Sequence, residues 1–219
     1  MSSRSAIKTS FILAPCFMIL IKAASFFKVS YIIGSYTALF SASSFMPGVV
    51  GVYGGLAGSG LVLALGLVMR SYFGLLSFKI LAYHIPSFFA AASWANSHWS
   101  IRVFVPAICM VLFVVHPVGF YAAPYALYWL IPIYLHYSVS KNLFSTALAS
   151  TFIAHAVGSV IWLYTVPMTT AAWLALIPIV LLERLLIAAG MVGVHQVAKA
   201  WVRHVQWIKA YAAARTEQQ

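Results

Sequence analysis

The stretch LIPIVLLERLLIAAG, residues 176–190, decides how this chain is read. The apolar run around it extends from Thr169 to Val192, too long for a buried strand and about the length of a helix crossing a bilayer. Inside it stands Glu183, beside Arg184. The chain has two acidic residues in all, Glu183 and Glu217, and Glu217 lies in the last three positions. A chain that uses almost no acid has put its one internal carboxylate in the middle of an apolar helix.

The rest of the composition agrees with this run. Of 219 residues 63% are hydrophobic and 7% charged, against roughly 25% charged in soluble domains. A surface so poor in charge belongs in lipid. Lipid admits only helices or a closed barrel, and the long runs without strict alternation exclude the barrel. The expected fold is therefore all-α: a polytopic, multi-pass transmembrane helical bundle in the cell (inner) membrane.

Six segments follow. The first runs from about Thr9 to Phe27. Residues 28–48, KVSYIIGSYTALFSASSFMPG, read as a short helix, a re-entrant piece or a structured loop. The second segment is Gly48–Met69, and the third is Tyr72–Ser93, interrupted at Pro86. The fourth stays apolar from Val103 to about Tyr137, too long for one untilted span, with breaks or kinks expected at HPVG (116–119), Pro124 and Pro132. The fifth is Asn142–Thr165 and the sixth Thr169–Val192. Residues 1–192 form the transmembrane domain and 193–219 a basic amphipathic cytoplasmic tail. The tail is either a helix on the inner leaflet or an extension of segment six.

Lysines and arginines near the segment ends set the orientation. With six spans and both termini cytoplasmic, Arg4, Lys8, Arg70, Lys141 and the tail cations lie inside, and Lys28 and Arg102 outside. Eight spans result if residues 30–45 cross and segment four is two helices. The formal charge of +11 is spread along the chain, as topology and anionic headgroups require, so a nucleic-acid partner is not expected. The two cysteines, Cys16 and Cys109, stand alone in apolar runs and suggest neither a disulfide nor redox chemistry.

Depth places Glu183 about 14 Å from the inner end of its helix, beyond the reach of snorkelling. An ionised side chain there costs at least about 2.5–3.5 kcal/mol, so it should be protonated, paired or hydrated. Arg184 reads as a poor partner, because adjacent helical side chains diverge. Counted along their segments, His84, His116 and His155 fall in the same band, and Trp162 lies toward the outer end of segment five. Several chemistries fit: an organic-solute site with these groups as anchors, a proton or cation path through Glu183 and the histidines, a metal or haem site on His84, His116 and His155, or a structural network. Asp, GxSxG and HExxH are all absent, so hydrolysis finds little support and the chain does not read as an enzyme; no cofactor is expected. Small residues four apart, Gly51 and Gly55 on segment two and Ala6, Ser10 and Ala14 on segment one, suit close helix packing, within the chain or against a partner helix.

Over residues 6–192 this organisation resembles the substrate-binding S component of energy-coupling-factor vitamin transporters. The first-helix strip Ala6, Ser10, Ala14 is similar to that family's AxxxA-like strip, with Ser at its centre. MPGVVGVYGGLAGSGLVLALGLVMR (46–70) looks like its Gly-rich second helix, and residues 28–48 stand where its substrate-covering loop does. WANSHWS (94–100) stands where a second lid segment does. The long Pro-rich fourth segment departs from the pattern, and no vitamin-specific signature is present. The resemblance implies six helices, a small micronutrient or metabolite bound from outside, Tyr36, Trp94 and Trp99 as lid residues, and a transmembrane coupling subunit with ATPases as partners. The chain itself has no GxxxxGK[ST] nucleotide motif.

Overall fold

The computed structural model describes residues 3–28, 41–75, 78–139 and 142–216. Among the described residues regular structure is helical, apart from one isolated bridge, Lys28–Ser41. Helix α1 is Ser3–Ser25, and a 3-10 turn, Ala42–Phe45, leads into α2, Pro47–Val49. A π-helical turn, Val50–Gly54, precedes α3, Gly55–Tyr72; α4 is Phe78–Ala95. A second π-helical turn, Ser100–Phe104, opens α5, Val105–Val115. Three short pieces follow: α6, Pro117–Tyr121; α7, Ala123–Ala126; and a 3-10 turn, Leu127–Trp129. The chain ends with α8, Leu130–Tyr137, α9, Leu143–Thr165, and α10, Thr170–Thr216. Among the described residues three helical stretches, Ala42–Tyr72, Leu143–Thr165 and Thr170–Ile208, are long and apolar enough to cross a membrane.

Local chemistry explains the boundaries. Asn142 caps α9: its side chain accepts from Ser145 N–H at 2.7 Å, and Ser145 Oγ accepts from the Asn142 N–H at 3.0 Å, a reciprocal pair that fixes the helix start. Gly55 sits at φ +62°, where only glycine is comfortable, and joins the π turn to α3. Pro86 does not interrupt α4, which runs through it; packed neighbours in a membrane bundle offset a lost backbone hydrogen bond.

The centre of the bundle is the pair α4–α9. A run of small residues, Ala90–Ala91–Ala92–Ser93, is buried on α4, which packs on α9, where Ala147, Ser150 and Ala156 are buried too. Small side chains let the backbones approach, and Ser150 Oγ donates to Ala90 O at 3.0 Å. α3 runs antiparallel to α4: a Cβ on Gly51 would collide with Ala91 and Trp94, and one on Gly66 would lie 3.4 Å from His84. α1 lies against α3, and Phe17 joins a cluster with Val49, Val50 and Val194.

The fourth segment is not a single helix. α5 reaches one end of the bundle, the chain reverses between His116 and Ala122, and residues 123–137 return, so that α8 packs beside Ser100–Phe104. The sequence supplies the reversal. His116 is extended (ψ 135°), its Nδ1 accepts from Val118 N–H at 3.3 Å, and Pro117 begins the next helix. Gly119 lies so close to the Phe113 carbonyl that a side chain could not fit.

This hairpin gives the bundle two ends. One gathers Phe45, Gly48, Trp94, Arg102 and His195: Phe45 lies on Gly190, Gly48 on Trp94, and the Trp94 and His195 rings are 5.4 Å apart. We call it the tail end, because α10 continues beyond it. The far end holds the turn after Arg70, the His116–Ala122 reversal and Val166–Thr169. This corrects one expectation: Arg102 and the 96–99 loop lie at the end that carries α10's extension, and Arg70 lies at the other. The tail continues α10 as far as Thr216, the second of the two forms expected for it.

Candidate functional site

His155 stands twelve residues into α9 and is buried. Its Nδ1 accepts from Trp129 Nε1–H at 3.1 Å, and its Nε2 meets Tyr125 Oη at 2.8 Å and Ser159 Oγ at 3.4 Å. Tyr125 Oη and Ser159 Oγ are 3.2 Å apart. An indole nitrogen only donates, so Nδ1 is the acceptor and the imidazole proton sits on Nε2. His155 is thus a donor toward Tyr125 and Ser159, and cannot serve as base for the serine hydroxyl. A second proton, on Nδ1, would set two N–H groups against each other.

The hairpin delivers two of these partners. Tyr125 and Trp129 are one turn apart in the irregular run 123–129 and face Phe113, Phe152 and Trp173; the Phe113, Tyr125 and Trp173 rings approach to 5.6, 5.2 and 4.9 Å. Trp173 is 2% exposed, and its Nε1–H has no acceptor among the described residues. An orphaned buried donor costs about 1–3 kcal/mol.

Glu183 and Arg184 complete the layer from α10. Both fall on the buried stripe Trp173, Val180, Glu183, Arg184, Ile187, Ala188, Met191, while Ile179, Leu182 and Leu186 face outward. Glu183 is 6% and Arg184 4% exposed. They form an ion pair at 3.7 Å, which overturns the expectation that adjacent positions diverge too far. The inward stripe is wide enough to hold both, and two long side chains bend toward each other where no other acid competes. Val180, one turn before the pair, belongs to the buried cluster that also holds Tyr125, Trp129 and Ala156, which ties α10 at this level to the histidine network.

Other expected residues lie elsewhere. His116 is at the far-end reversal, its ring 5.0 Å from Tyr164. His84 faces Gly66 on α3. His116 therefore leaves the layer of His155, and among the described residues no group of three or more His, Cys, Asp or Glu could hold a metal. Trp162 donates to Met168 Sδ at 3.1 Å near the far end. Trp94 packs on His195 and Trp99 is exposed, both at the tail end away from His155. Tyr36 lies outside the described residues. Ala14 is buried inside the chain and Gly51 is filled by Ala91 and Trp94, so both serve internal packing; Gly55 serves the bend, and the side chains of Ala6 and Ser10 are outside the described set.

A depression of about 550 Å³ opens at the far end, lined by His116, Leu163, Tyr164, Pro167, Met168 and Thr169 among others. Leu163 is one helical turn beyond Ser159, and Thr169 one turn before Trp173, whose backbone N–H the Thr169 carbonyl accepts at 3.2 Å. The depression thus ends about 6 Å along α9 from the histidine network. Compared with protein-family models, characterised proteins and solved structures, the chain gives no match.

Proposed function

We propose that the chain is a membrane transport protein: the solute-binding integral subunit for uptake of a small micronutrient or metabolite. The observation that carries this reading is the hydrogen-bonded layer His155–Tyr125–Trp129–Ser159, set against Glu183–Arg184 at mid-bundle and one turn below an open depression. Binding sites combine aromatic walls with a few fixed polar groups, and this layer has both. The unused Trp173 indole Nε1–H adds a donor for a carbonyl, hydroxyl or carboxylate oxygen of the solute.

Charge supports the orientation. Lys22, Lys28, Arg102, Lys199, Arg203, Lys209 and Arg215 belong to elements at the tail end, and Arg4, Lys8, Arg70 and Lys79 to the far end. The positive-inside rule then puts the tail end in the cytoplasm and the depression outside, in the cell inner membrane. Six stretches run from one end to the other as crossings in this reading, α3, α4, residues 100–115, residues 117–137, α9 and α10, and α1, 23 residues long and packed along α3, is a seventh. A transmembrane coupling subunit with ATPases would supply the energy.

A self-contained proton- or cation-coupled carrier is the second reading, favoured by the mid-bundle position of Glu183. The ion pair to Arg184 and the fixed tautomer of His155 weigh against it. Native mass spectrometry on gently extracted protein separates the two. One organic adduct per chain, lost in His155→Phe, is expected. A bare chain, with transport in ATPase-free proteoliposomes abolished by Glu183→Gln, would transfer the function to the carrier.

A further inference from the structure

Arg102 is buried, 5% exposed, in the π-helical turn that opens α5. One hydrogen bond holds it: Nη2 donates to Ser93 O at 3.1 Å, in the last turn of α4. A guanidinium carries five N–H groups, and the Nε–H is buried without an acceptor. Glu183 is engaged by Arg184 in the ion pair of the middle layer, and the only other acidic residue is Glu217 at the chain's last positions. The cation therefore has no carboxylate among the described residues. Capping a helix C-terminus offsets part of its charge and leaves most donors unused.

The surroundings point to the missing partner. Trp99 and Phe104 flank Arg102, both more than half exposed and packed edge to face at 6.0 Å. Exposed aromatics beside a basic residue at the end of a bundle mark the headgroup level of a bilayer. His98 and Ser100, linked at 2.9 Å, close the adjoining loop with polar groups. A guanidinium matches phosphate oxygens in pairs.

We propose that Arg102 is the seat of a phosphate anion, supplied by the headgroup of an anionic phospholipid in the tail-end leaflet. The lipid phosphate answers the Nη1 donors, which are not enclosed as Nε–H is, and its acyl chains lie along Trp99 and Phe104. The site is separate from the His155 layer and does not depend on what that layer binds.

Native mass spectrometry from nanodiscs of mixed phosphatidylglycerol and phosphatidylcholine tests it. The wild type is expected to keep phosphatidylglycerol preferentially, and Arg102→Gln to keep about tenfold less. A second arm adds inorganic phosphate to delipidated protein: a rise in Tm that Arg102→Gln abolishes, without lipid preference, would assign the seat to free phosphate. Arg102→Lys retains the charge and loses the fork; it should hold an intermediate amount, and it serves where Arg102→Gln does not fold. Equal lipid retention by wild type and both variants, with no phosphate response, would overturn the proposal.

Discussion

Replacing His155 by phenylalanine keeps a flat ring in place and removes both nitrogens. Trp129 Nε1–H then loses its acceptor at 3.1 Å and has no substitute. Tyr125 loses its 2.8 Å partner but keeps Ser159 at 3.2 Å. An orphaned buried donor costs about 1–3 kcal/mol, and the tyrosine adds a smaller amount, so the total is about 2–4 kcal/mol. The larger ring adds strain that the single variant cannot separate. A double-mutant cycle with Trp129→Phe does so. When both partners are apolar neither is orphaned, and the two changes should cost less together than their sum. Hydrogen-bond couplings in membrane proteins average about 0.6 kcal/mol and reach about 1.7; a buried pair without alternatives belongs at about 1 or above. The assay is SDS-induced unfolding in mixed micelles followed by circular dichroism, since a tryptophan is being removed. Additive costs, with coupling below about 0.3 kcal/mol, would refute the assigned tautomer and the network built on it.

The ion pair makes a second prediction: Glu183→Gln alone should destabilise by about 3–5 kcal/mol by removing the carboxylate that faces the buried Arg184, while Glu183→Leu with Arg184→Met should recover most of that loss in the same unfolding assay. Gly119→Ala should lower the yield of folded protein sharply on size-exclusion chromatography, because its Cβ would meet the Phe113 carbonyl and Leu163. Gly193→Ala, with open space around the glycine, should raise stability by about 0.5–1 kcal/mol. For the hairpin, single cysteines at Ser97 and at Ala210 should react with an impermeant thiol reagent from the same side of the membrane, and a cysteine at Pro167 from the opposite side.

Much of the helix content was legible because apolar length needs no context. Segment five was read as Asn142–Thr165, and its cap and end are where the sequence put them. The fold-back of residues 100–137 was legible only as an alternative, in the eight-span reading that made segment four two helices. A proline followed by glycine gives the same signal for a kink and for a reversal, and what decides between them is the close packing of Gly119 on Phe113, a contact across six positions. That choice also reset the polar layer. Counting residues from segment ends assumed straight, whole spans, so His116 was assigned to mid-depth when it sits in the turn. Tyr125 and Trp129 were missed because the run that carries them has no helical period to mark a face. Glu183 and His155 were found because polarity inside apolar sequence is visible without any structure.

The central claim is that a solute reaches the His155 layer through the far-end depression. The direct measurement uses Pro167→Cys, with Cys16, the exposed cysteine, changed to Ser. Intact cells are treated with a bulky impermeant thiol reagent, and the bound organic mass is then read by native mass spectrometry. The account predicts one adduct per chain before labelling and its loss afterwards, with Ser97→Cys keeping the adduct under the same treatment. An adduct that survives labelling at Pro167→Cys, or a chain that carries none in either state, would contradict it.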